Sequence, residues 1–169
     1  MTTVIYHANC DDGFGAALAA YLKFGDDPDY VPASYGDAPP PSDGEDLFIL
    51  DFSYPRAVMQ ELSTVARTIT LLDHHKTAAL DLADLQLSCN SIVSFDMEQS
   101  GALLAWKFFH PGIAVPKLFR YIDDNDRWQF KLKETKFVIR NLRSYNQLFS
   151  TWHELMSMIE ISPEFYEDF

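Results

Sequence analysis

Cysteine is scarce in this chain. Cys10 and Cys89 are the only two in 169 residues, too few for a disulfide framework. Positive charge is also short, with 13 Lys and Arg against 25 Asp and Glu and a net charge of -12. That balance excludes a protein that grips long nucleic acid by its phosphates, because such binding needs clustered basic side chains. It leaves open a short anionic substrate held through metal ions. No apolar run approaches the roughly 20 residues that a membrane span requires, and no targeting segment precedes the first apolar run. A soluble, cytoplasmic protein without a membrane partner is therefore expected. Internal repeats are lacking too, and the only low-complexity tract is Pro39-Pro40-Pro41.

What the chain does have is a 47% apolar fraction, with aromatics making up 14% of all residues, enough to bury the core of one ordinary domain. Three short apolar runs carry the pattern: Thr2 to Tyr6, Leu47 to Leu50 and Ile69 to Leu72. Helical patterns follow them at Phe14 to Phe24, Pro55 to Ala66 and Thr77 to about Ala83. Short buried runs alternating with helices predict a doubly wound, mainly parallel five-stranded α/β sheet. Tyr30 to Tyr35 supplies an edge strand, and Leu85 to Phe95 holds one more, broken near Asn90. Ser53 is placed to cap the second helix, with Pro55 in its first turn. The later chain is helical in pattern, at Ser100 to Phe109, Val115 to Ile122, Phe137 to Leu142 and Leu148 to Ile159, the last stopped before Pro163. The expected organisation is one domain over 1–169, sheet-forming to about residue 96 and mainly helical from 97.

Each of the three central runs ends in groups that can do chemistry. The first leads into His7, Cys10, Asp11 and Asp12, the second into Asp51, and the third into Asp73-His74-His75. Taken singly, each reads equally well as ordinary structure: an acidic turn starting a helix, an Asp after a strand, a satisfied buried histidine. Together, as neighbours at the carboxyl edge of one parallel sheet, they gather imidazoles with carboxylates, and carboxylates packed that closely repel each other without a cation. That makes the sheet edge a candidate divalent metal site. Asp123, Asp124 and Asp126 add three acids in four residues, of which one or two can face the same point. Gly13 and Gly15 flank the first loop, where a turn or a close approach is needed. Trp106 and Trp128 could stack a base, but their apolar spacing reads as core. Asp81, Asp84 and the acids from Glu160 to Asp168 read as solvent-facing charge.

These residues resemble the four motifs of the DHH phosphoesterase superfamily, which includes RecJ-type exonucleases, nano-RNases, cyclic-dinucleotide phosphodiesterases and family II pyrophosphatases. His7-Ala-Asn-Cys10-Asp11-Asp12-Gly13 is similar to the branch whose first motif is His-x-x-Cys-x-Asp-Gly, and Tyr35-Gly36-Asp37 and Ser100-Gly101-Ala102 with Trp106 support it. The resemblance implies a hydrolase of nuclease type cutting a phosphodiester in a short oligonucleotide or linearised cyclic dinucleotide. It implies two Mn²⁺ ions bridged by Asp51, with His7 on one and Asp12, His74 and Asp124 on the other. Mg²⁺, Co²⁺, Zn²⁺ or Fe²⁺ are alternatives, the softer ions being favoured if Cys10 ligates rather than Asp11. Asp73 would orient rather than ligate, and His75, with Lys76 beside it, would contact the substrate phosphate; Lys76 reads equally as a surface lysine. Alternatives on the same site are hydrolysis of pyrophosphate or a nucleoside phosphate, and a metal- and nucleotide-binding module with little catalysis. Members of the superfamily usually carry a second, substrate-gripping domain with a glycine-rich motif, and these 169 residues contain no such run. An excised domain, or an open site or homo-oligomer, is the corresponding expectation.

Overall fold

A computed structural model describes residues 1–161. Five parallel strands form one sheet: β1 (Thr2–His7), β2 (Asp29–Ala33), β3 (Asp46–Leu50), β4 (Thr68–Asp73) and β5 (Asn90–Phe95), in the order β2-β1-β3-β4-β5. The helices are α1 (Asp11–Phe24), α2 (Arg56–Val65), α3 (Lys76–Asp81), α4 (Gly101–Phe109), α5 (Lys117–Asp126), α6 (Thr135–Leu142) and α7 (Phe149–Ile161). The doubly wound α/β architecture is thus as the alternating pattern predicts. The stop before Pro163 and the acids beyond residue 161 lie outside the described residues.

Alternation along the strands feeds two cores. Val4, Leu50 and Leu72 pack on one face under α1, α4, α5, α6 and α7. Ile5, Ile49, Ile69 and Leu71 pack on the other with Met59 and Leu62 of α2 and Leu82. Because both faces are covered, the central strands are buried almost throughout, as parallel strands must be. β2 takes an edge, where Pro32 costs no inner ladder bond.

The register decides where the chemistry falls. Tyr6 pairs with Leu50, and Leu50 with Leu72. The next residues in the three strands are His7, Asp51 and Asp73, all at one level of the carboxyl edge. β1 has β2 on one side and β3 on the other, so the strand order reverses beside β1, and a crevice opens at such a point.

Three local expectations are corrected. Ser53 does not cap α2, which starts after Pro55 without a side-chain cap; its hydroxyl donates to buried Asp73 instead. Adjacency of β3 and β4 makes that long-range bond available, and it outcompetes the local one. The last strand begins at Asn90, so 85–89 is not part of it. Trp128 is not core: its ring is 81% exposed, because Trp128 and Phe130 both adopt left-handed backbone as the chain turns out of α5. Trp106 is buried as expected.

Candidate metal centre

Asp51 follows β3 in a left-handed conformation (φ 54°), which is costly for a residue with a Cβ. Its amide still donates to Leu72 O at 2.9 Å, fixing it against the neighbouring strand. The carboxylate is buried and reaches both sides: Oδ2 lies 3.7 Å from His7 Nδ1 and Oδ1 lies 3.0 Å from His74 Nε2. Among the described residues Asp51 Oδ1 is a buried oxygen with no hydrogen-bond partner, His74 Nε2 meeting it only as an ion pair.

Around Asp51 the possible ligand atoms form three overlapping groups: His7, Cys10 and Asp51; Asp51, His74 and His75; and Asp12, His74 and Asp126. Within each, the atoms lie within 4.8 Å of one another. The single atom His74 Nε2 is 3.0 Å from Asp51, 3.3 Å from Asp12 and 3.5 Å from Asp126. One ring N–H can satisfy only one of those three carboxylates. A divalent cation is the species that would satisfy all of them, and the hard oxygens with imidazole suit Mn²⁺, Co²⁺ or Zn²⁺. The donor set and the buried Asp51 oxygen therefore fit divalent metal on both sides of Asp51, with His7 and Cys10 on one side and His74 on the other, where His74 groups with Asp51 and His75 and also with Asp12 and Asp126.

Asp12 sits in the first turn of α1, a favourable place for an acid. Its two oxygens accept from Gly101 N at 2.6 Å and Ala102 N at 2.8 Å, at the start of α4. Two glycines permit this closeness. A Cβ on Gly13 would lie 2.2 Å from His7 O, and one on Gly101 would lie 2.4 Å from Asp51 Cβ. Asp73 is fully buried and orients: it accepts from Ser53, from His74 N at 2.7 Å and from His75 Nδ1 at 2.6 Å. Burial pushes its pKa up, but the His75 and Ser53 hydrogen bonds outweigh this and leave it lowered.

Asp124 is not among these groups. Its carboxylate accepts from Lys131 N, Leu132 N and Thr135 Oγ1, closing the turn that leads into α6. Asp123 accepts from Ser100 N at 2.7 Å. The third acid, Asp126, faces His74. The last turn of α5 thus gives three neighbouring acids three jobs, and helical spacing alone does not say which faces the sheet edge. Asp126→Asn is expected to weaken Mn²⁺ binding at least about tenfold with little change in stability, whereas Asp124→Ala is expected to cost about 2 kcal/mol of stability by orphaning two amides and a hydroxyl. Metal titration and urea denaturation of both variants separate the two roles. Asp11 pairs with Arg143 at 2.7 Å and lies outside the ligand groups. Lys76 is exposed at the start of α3.

The protonation pattern shows a site strained without a cation. Burial, then Asp51, raises Asp12 to about 6, and burial, then Asp12, raises Asp126 to about 6. Burial, then Asp51, pushes the Cys10 thiol up to about 12. Burial works against protonation of His74, but Asp12 and Asp51 overcome it and take His74 up to about 11. At pH 7 the metal-free site thus holds protons on His74 and on the Cys10 thiol that cations must displace. Because protons compete with metal, affinity should rise with pH, about tenfold per unit for each proton displaced, most steeply below pH 6 where Asp12 and Asp126 are also protonated. Calorimetric Mn²⁺ titrations in buffers of different ionisation heat would register the released protons; a pH-independent affinity from pH 5 to 8 would contradict this assignment.

Comparison with known proteins adds fold but no activity. No family model matches the chain. An uncharacterized protein of Acanthamoeba polyphaga mimivirus is 28% identical over 169 aligned residues, covering 90% of this chain and 39% of the viral protein. The crystal structure of an uncharacterized Helicobacter pylori protein matches with a TM-score of 0.61 and 16% identity, over 85% of this chain and 48% of that one. The chain spans less than half the length of each protein it matches. Among the described residues no helix is long and apolar enough to cross a membrane.

Proposed function

We propose that this protein is a divalent-metal-dependent phosphoesterase that hydrolyses a phosphodiester bond in a short oligonucleotide or linearised cyclic dinucleotide in the cytoplasm. The observation that carries the reading is the convergence of two ligand groups on one shared, buried and underused carboxylate, Asp51. A pair of divalent ions bound there would supply an activated water near neutral pH and positive charge opposite the phosphoryl oxygens.

The chain's own residues do the rest. Asp51, on strained backbone between two strands, holds the two halves of the site at a fixed separation. Asp73 fixes the His75 ring through Nδ1 and raises its pKa, which keeps a proton available on the imidazole. His75 would then donate to a phosphoryl oxygen, stabilising charge as it develops. Tyr35, 5.4 Å from the His7 ring and 6.3 Å from the His75 ring, covers the outer side of both imidazoles. Cys10, with its thiol raised while metal is absent, would become a ligand only by losing its proton to solvent as its thiolate binds, which favours the softer divalent ions.

The test is hydrolysis of a 5′-phosphorylated dinucleotide, a cyclic dinucleotide, adenosine 3′,5′-bisphosphate and pyrophosphate, with and without Mn²⁺. Mononucleotide release from the dinucleotide that requires Mn²⁺ is expected. Turnover of pyrophosphate alone would replace the phosphodiesterase reading, and metal binding without turnover of any substrate would leave a binding protein. Cys10→Ala is expected to lower bound metal; wild-type content and rate would exclude the thiol as a ligand.

A further inference from the structure

Beside the metal centre, a cleft of about 550 Å³ lies between residues 9–12 and the 143–147 loop that joins α6 to α7. We propose that this cleft is the nucleoside subsite: it takes the base and ribose of the substrate whose phosphate lies at Asp12, Asp51 and Asp126. The inference rests on the phosphoesterase reading and adds to it the class of group held next to the scissile bond.

Contiguity is the first argument. Cys10, Asp12 and Asp126 belong both to the ligand groups and to the wall of the cleft, so a molecule held at one must pass into the other. The volume is in the range of small-molecule sites, about 300–1,000 Å³.

Charge is the second. The one cation in the wall, Arg143, is already neutralised by Asp11 at 2.7 Å. The remaining charges, Asp12 and Asp126, are committed to the metal centre. Nothing is left in the cleft to balance a second phosphate, so the occupant is neutral.

Hydrogen-bonding capacity is the third. Asn9, Asn125, Asn146 and Gln147 line the walls, and each primary amide offers paired donors and an acceptor, the complement of a heterocyclic base edge. The floor is apolar, formed by Ile122, Leu142 and Trp152. Trp152 is buried there, and its Nε1–H has no acceptor among the described residues. Such a donor is costly unless something accepts from it. Gln147 Nε2 also donates to Cys10 O at 3.2 Å, which ties the cleft wall to the loop that carries the ligands.

The experiment uses the ¹⁵N-labelled, metal-free protein and titrates it with adenosine, guanosine, cytidine and uridine, with ribose as control. Nucleosides carry no phosphate, so the readout depends neither on metal nor on turnover. Saturable shifts of the Trp152 indole N–H and of the 145–147 amides by at least one nucleoside, and none by ribose, are expected. The Asn125→Ala/Asn146→Ala double variant should bind that nucleoside about tenfold more weakly. It should also show a KM for the 5′-phosphorylated dinucleotide raised by a similar factor, with bound Mn²⁺ unchanged. No nucleoside-induced shift at these positions, shifts confined to Tyr35 and Phe52 on the other flank, or equal binding by the double variant would each overturn the proposal. Nucleoside-induced shifts without any Mn²⁺-dependent turnover would count against hydrolysis and support the cleft.

Discussion

Replacing Asp51 by asparagine is expected to reduce Mn²⁺-dependent turnover by about three orders of magnitude or more, equivalent to ~4 kcal/mol at the barrier. The side chain keeps its size, so the fold should survive and the loss should be chemical. Asp51 belongs to a ligand group on each side, one with His7 and Cys10 and one with His74 and His75; His7 lies 3.7 Å from its Oδ2 and His74 3.0 Å from its Oδ1. An amide can present one neutral oxygen to one ion and cannot neutralise a pair. Metal analysis should therefore show the bound equivalents falling from two to one or fewer. Wild-type stoichiometry with full activity in Asp51→Asn would remove the basis of the metal-pair assignment.

Gly101→Ala is expected to damage both fold and site, although Gly101 has no side chain with which to ligate. The added methyl would lie 2.4 Å from Asp51 Cβ and 2.7 Å from its Oδ1, distances that packed atoms do not tolerate. Relief by moving Asp51 is blocked by its amide bond to Leu72. Relief by moving α4 breaks the two hydrogen bonds from Gly101 N and Ala102 N to Asp12. Either way the contact between the helix and the sheet edge opens, at a cost of about 3 kcal/mol. Urea denaturation should show the lost stability and Mn²⁺ titration a weakened site. A variant with unchanged midpoint and metal affinity would mean that the helix start is softer than its contacts indicate.

Much of the fold was legible because the strands are short, apolar on both faces and each followed by a helical pattern. The coincidence of His7, Asp51 and Asp73 at one level was legible for the same reason, since strands that pair in parallel end together. What escaped depends on contacts distant in sequence. Ser53 was read as a cap because its partner Asp73 becomes its neighbour only once β3 and β4 pair. Nothing in the local sequence distinguishes Asp124 from Asp126, because it is the 131–135 turn, folding back to occupy Asp124, that leaves Asp126 facing His74. Trp128 looked like core until the left-handed turn after α5 carried it outward. The amide-lined cleft gave no signal at all, because it joins residues near 10 with residues near 145 and neither stretch has a distinctive pattern.

The groups that converge on Asp51 come from the ends of three strands, the first turn of one helix and the last turn of another. The stretches that carry them, at 7–12, 51, 74–75 and 126, are far apart in an unfolded chain, so a cation held here would bind the native state and hardly the denatured one. Divalent ions held on the two sides of Asp51 would together act as non-covalent cross-links from the first strand to the fifth helix, each adding about 2.7 kcal/mol to stability at a hundredfold excess over its dissociation constant. The lifetime of the protein would then follow the supply of divalent ion around it, and chelation would both silence the site and loosen the fold.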